Sequence, residues 1–71
     1  MKQPEGLIGV LLDSAAEFGD RDDAAMDLSE FDNQSVIDAL QKVIDSKESD
    51  EDLVERCKES LNEMLLRRKG K

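Results

Sequence analysis

A chain of 71 residues with 18 acidic and 10 basic side chains carries a net charge of −8 and has room for one small domain. Such acidity argues against nucleic-acid binding, because a negative body repels phosphate backbones. The sequence has no histidine, which excludes His-based triads and His metal sites, and its single cysteine, Cys57, excludes an internal disulfide.

Charge is unevenly placed. All 18 acids but only six bases (Lys2, Arg21, Lys42, Lys47, Arg56 and Lys58) precede residue 67, and the tail Arg67-Arg68-Lys69-Gly70-Lys71 holds the other four. The apolar run Leu7 to Leu12 is too short to span a bilayer and is followed by Asp13, with no small-residue cleavage site. A lone cysteine and no targeting segment make the cytoplasm the default expectation. Residues 1–3 and 69–71 are expected to be loose ends of a single helical domain covering 1–71.

Pro4 suits a first helical position, where its missing N–H costs nothing. The first helix is expected from about Pro4 to Phe18, with Leu7, Ile8, Leu11, Ala15 and Phe18 as its main stripe and Val10 and Leu12 on opposite flanks. Gly6 and Gly9 weaken it by about 1 kcal/mol each relative to alanine and read as tolerated. Gly19 then serves as the residue just past the helix end, and Asp20 as the N-cap of the next helix, with Asp22 and Asp23 in its first turn. A very short turn between the two helices follows.

The second helix, about Arg21 to Glu30, organises the rest. Ala24, Leu28 and Phe31 fall at i, i+4 and i+7 on one face, and the pair Ala24-Ala25 lets a neighbouring helix come close. Met26 lies opposite that stripe and is expected to be covered by a third helix. Asp32 or Asn33 caps the third helix, about Gln34 to Asp45, in which Val36, Ile37, Leu40, Val43 and Ile44 give the clearest amphipathic pattern. After a polar loop, Ser49 and Asp52 resemble a capping box. The fourth helix, about Asp50 to Arg68, buries Leu53, Val54, Cys57, Leu61, Met64 and Leu65 and leaves Leu66 exposed. Its basic tail complements the negative end of the helix dipole. No stretch alternates as a strand does.

The helices repeat. Ala24, Leu28 and Phe31 align with Cys57, Leu61 and Met64 at an offset of 33, while Ile8, Leu11 and Ala15 align with Ile37, Leu40 and Ile44 at an offset of 29. Periods of this size suggest stacked helical hairpins. The run Arg21-Asp22-Asp23-Ala24-Ala25-Met26-Asp27-Leu28 resembles a HEAT-type repeat, whose first helix commonly carries a basic residue, two small residues and a leucine at this spacing. Val36-Ile37-Asp38-Ala39-Leu40 is similar to the second helix of the same unit. The resemblance runs from about Leu7 to Leu66 and departs from the pattern at Cys57-Lys58, which replace the small pair. It implies a protein-binding scaffold with no catalytic residues.

Chemistry finds little purchase. Cys57 lies on an apolar face and reads as core. The acidic stretches beginning at Asp20 and Asp45 lack the glycine and ligand spacing of an EF-hand loop. Acyl carriers place a serine after an aspartate at the head of an apolar helix; Asp13-Ser14 comes too early and Asp45-Ser46 runs into Lys47-Glu48-Ser49. The acids at 20–23 and 50–52 open helices, where capping explains them, and they also offer a docking surface.

The expected fold is therefore all-α: four short antiparallel helices stacked as a HEAT-like α–α solenoid fragment, with a closed four-helix bundle as the alternative. The expected function is a non-enzymatic module, needing no cofactor or metal, that docks on a basic protein partner, for instance as a neutralising or immunity-type protein. Its contact residues are expected to be Asp20, Asp22, Asp23, Asp27 and Glu30, with Val10 and Leu12 adding apolar area. The alternative is a self-associating homodimeric subunit with no separate ligand.

Overall fold

The computed structural model describes residues 3–31, 33–46 and 50–69. They form four helices and, among the described residues, no strand: α1 (Pro4–Leu12), α2 (Phe18–Leu28), α3 (Gln34–Asp45) and α4 (Glu51–Lys69). The main packing contacts join α1 to α2, α3 to α4, α2 to α4 and α1 to α3. The result is a slab of 37 × 27 × 16 Å. These are extents of the Cα trace, and the shortest of them fits two layers of helix whose axes pack about 8–10 Å apart. No helix among the described residues is long and apolar enough to cross a membrane.

One core unites the four helices. Each contributes a leucine with no exposed surface (Leu11, Leu28, Leu40 and Leu53), joined by small or medium side chains such as Ala25, Val36 and Cys57. Burying each leucine stabilises the fold by roughly 1.5–3 kcal/mol. Leu7, Ile8, Phe31, Ile37, Ile44 and Leu61 pack around that centre while half-buried. Cys57 is a buried thiol in this core, as its apolar face implies.

Pro4 does open α1, but the helix stops at Leu12, six residues short of the expected end at Phe18. Asp13 is the cause. Its backbone is extended, and its Oδ1 accepts the Ala15 N–H at 2.9 Å while its carbonyl accepts from Ala16 at 3.1 Å. An aspartate that satisfies its own following backbone removes the advantage of continuing the helix. Ala15 consequently lies in the turn, and Phe18 begins α2 with 42% of its surface exposed instead of closing the α1 stripe.

The α1–α2 connection is thus residues 13–17, not a very short turn, and Gly19 is a helical residue of α2, not the residue past the end of α1. The N-cap position falls to Glu17, with no side-chain cap bond, and Asp20 sits in the first turn, where the dipole still favours it. At the other end α2 closes at Leu28 instead of Glu30. The N–H groups of Ser29, Glu30 and Phe31 bond three residues back, to Met26, Asp27 and Leu28, and the Ser29 hydroxyl donates to the Met26 carbonyl at 2.7 Å.

The bounds of α3 are those its periodicity gives. Its cap is Asn33, whose Oδ1 accepts the Val36 N–H at 3.0 Å. Asp32, the other capping candidate, lies outside the described residues, as does Ser49 of the expected capping box. Asp50 caps α4, its Oδ1 accepting from the N–H groups of Asp52 at 3.1 Å and Leu53 at 3.3 Å. Along α4 Leu66 is exposed as expected. Leu65, one position past the buried Met64, is 44% exposed and not part of the buried face, and Val54 is half-buried. Met26 is the remaining correction: no helix covers it, and 46% of it meets solvent.

Candidate functional site

The site is built on the seam between α2 and α4. Ala25 is fully buried and Ala24 nearly so, and side chains this small let α4 approach closely. Two polar groups are also buried. Ser60 of α4 donates its hydroxyl to the Ala25 carbonyl at 3.0 Å. Arg21, 6% exposed, turns the other way and donates its Nε–H to the Leu11 carbonyl at 2.9 Å, satisfying an orphan carbonyl at the end of α1.

Two further ties cross the seam. Arg56 Nε donates to Asp22 Oδ1 at 2.9 Å, and Arg67 donates to the Ser29 carbonyl. Taken in order, residues 22, 25 and 29 of the α2 segment meet 56, 60 and 67 of α4. Both series rise together, so α2 and α4 run parallel. The helices that the repeat pairs at an offset of 33 are therefore neighbours with the same polarity.

Outside this seam lie two adjoining hollows. One, of about 520 Å³, is lined by Met26 and Ser29 from α2 and its C-terminal turn and by Arg56, Glu59, Ser60, Asn62 and Glu63 from α4. The other, of about 300 Å³, is lined by Phe18, Asp22, Asp52, Glu55, Arg56 and Glu59. Arg56 and Glu59 belong to both, so the two form one groove along α2 and α4. Five carboxylates and one guanidinium face it. That guanidinium is already engaged: besides Asp22, it donates from Nη1 to Glu59 Oε2 at 3.2 Å. Its pKa is raised, first by the hydrogen bond to Asp22, then by that residue's charge, with Glu59 and Asp23 adding to it.

The groove thus carries an excess of carboxylates around two exposed apolar side chains, Phe18 and Met26. A ligand both cationic and apolar suits it. Among the described residues no three thiols or carboxylates converge as metal ligands.

The residues expected to contact a partner are divided by the fold. Asp20, Asp23 and Glu30 are exposed, Asp27 is half-buried, and Asp22 is tied to Arg56 inside the groove. Val10 and Leu12 are exposed on α1 and line neither hollow. The structure therefore gathers Asp22 and Asp52, one from each acidic stretch that the sequence offers for docking, with Phe18 and Met26, which were expected to be covered, and with Glu55, Glu59 and Glu63, which sequence reasoning passed over. A signal for the latter was present. Asp52, Glu55, Glu59 and Glu63 recur every three or four residues, one acidic stripe on one face of a helix.

No family model, no curated protein and no solved structure matches the chain.

Proposed function

We propose that the chain is a non-enzymatic protein–protein interaction module of the cytoplasm that docks on a basic protein surface, in the manner of a neutralising or immunity-type protein. The observation that carries this reading is the α2–α4 groove, where acidic side chains surround the exposed Phe18 and Met26. Charge steers the encounter with a basic partner, and desolvation of apolar side chains supplies the affinity. The parallel packing of α2 on α4, with α1 on α3, supports a HEAT-type stack of two hairpins as the scaffold. In an up-down-up-down bundle α2 and α4 would lie across a diagonal.

Tagged protein incubated with extract of its native host at low and high salt tests the reading. A basic protein retained at low salt and released at high salt is the expected result, because exposed charge pairs are screened. Recovery of the chain alone, unchanged by salt, would sink it in favour of a self-associating subunit. The exposed Leu65 and Leu66, with Val10 and Leu12, are the observation on the side of that second reading; the repulsion between two chains of charge −8 weighs against it.

A further inference from the structure

We infer that the occupant of the α2–α4 groove is a basic amphipathic helix, whose apolar residues two turns apart seat on Phe18 and Met26 while its lysines and arginines face the acidic stripe of α4. This rests on the docking reading above and adds to it a place and a partner chemistry.

Three observations converge. Phe18 and Met26 are eight residues apart on α2, about 12 Å along its axis. Two exposed apolar side chains at that separation match residues seven or eight apart on a second helix lying along the groove. The facing wall, from Asp52 to Glu63, presents carboxylates at helical spacing, so the complementary cations recur at the same period. And both walls are helices whose backbone groups bond internally. An extended peptide would find no sheet edge and would leave its own N–H and C=O groups unpaired, whereas a helix satisfies them itself.

Charge decides between a foreign helix and a second copy. The groove holds five carboxylates against Arg56, which Asp22 and Glu59 already engage. A chain of net charge −8 approaching another meets repulsion over most of its surface. A basic helix meets five carboxylates against one neutralised guanidinium on this face.

The test uses the full chain and a labelled lysine–alanine peptide of about five helical turns, with two leucines two turns apart on one face. An isomer of the same composition carries them on opposite faces. Fluorescence anisotropy at low salt compares wild type with Met26→Lys and Leu12→Lys, two substitutions that remove an exposed apolar residue and add the same charge. Met26→Lys is expected to weaken the in-phase peptide at least about tenfold. Leu12→Lys should change it less than about twofold, a shift of general electrostatics only. Glu63→Gln, compared with Glu5→Gln on α1, repeats the comparison without touching an apolar side chain and stands in if Met26→Lys loses its helical circular dichroism.

Equal losses at groove and control positions, or equal affinity for the two isomers, would overturn the groove assignment while leaving diffuse docking of a basic partner intact. No binding of either peptide at low salt would overturn both. Sedimentation of the wild type as a dimer that Met26→Lys dissociates would overturn the inference by making a second copy the occupant.

Discussion

Arg21→Met removes a buried guanidinium and leaves the Leu11 carbonyl, its acceptor at 2.9 Å, in place. The methionine retains an unbranched apolar stem, so packing changes little and the lost hydrogen bond dominates. A hydrogen bond to a charged group contributes about 1.5–3 kcal/mol net, and an acceptor left unpaired in the interior costs about 1–3 kcal/mol. Relief from burying the charge offsets part of this, since Arg21 is only 6% exposed. A loss of about 1.5 kcal/mol is therefore expected. Against a stability of about 0.05–0.15 kcal/mol per residue, this is a substantial share of the total. Urea titration followed by circular dichroism measures it. With a slope of about 1 kcal/mol per molar for so small a domain, the midpoint should fall by about 1.5 M. Amide exchange in α1 should quicken first, because the contact holds that helix's last turn. A midpoint within about 0.3 M of wild type, with unchanged protection in α1, would refute the assignment of Arg21 as the tie between α1 and α2.

Leu40→Ala, at a site with no exposed surface, should cost about 2–5 kcal/mol and leave the domain largely unfolded near 37 °C, as thermal melts would show. Asn33→Ala removes the cap bond to Val36 and should lower stability by about 1 kcal/mol in the same urea assay; no change would mean that the α3 N-terminus finds another acceptor. Gly9→Ala should raise stability by up to about 1 kcal/mol, because a Cβ there meets nothing within 4 Å and the position is helical. A fall in melting temperature would contradict that open surroundings.

The helices legible in the sequence are those whose apolar period runs uninterrupted to a capping residue. In α3, Val36, Leu40 and Val43 repeat on one face behind Asn33, and both ends of the helix fall where that pattern puts them. The first helix misleads because Ala15 and Phe18 continue the period of Leu7 and Leu11 while Asp13 diverts the backbone. A side-chain oxygen bonding two residues ahead leaves no trace in hydrophobic spacing. Once the boundary moves, Gly19 and Asp20 change roles with it. Exposure of Met26 was illegible for another reason: it depends on which flank of α2 lies beside α4, a tertiary choice made by the pairs Asp22–Arg56 and Ala25–Ser60. The acidity of the groove, by contrast, stood in the spacing of Asp52, Glu55, Glu59 and Glu63, and only the partition of expected contacts between α1 and α2 hid it.

The seam between α2 and α4 is made largely of small side chains, and smooth surfaces slide. Nothing in an Ala24-Ala25 contact fixes axial position to better than a helical turn, about 5.4 Å. The carboxylate of Asp22, the carbonyl of Ala25 and the carbonyl of Ser29 each engage a different rung of α4, and a one-turn slip would break all three together. They work as the teeth of a key, adding little holding force but permitting a single alignment. Removing one tooth need not lower the melting temperature much. Removing Arg56 and the Ser60 hydroxyl together would let the helices settle at more than one height, visible as doubled amide resonances along both helices.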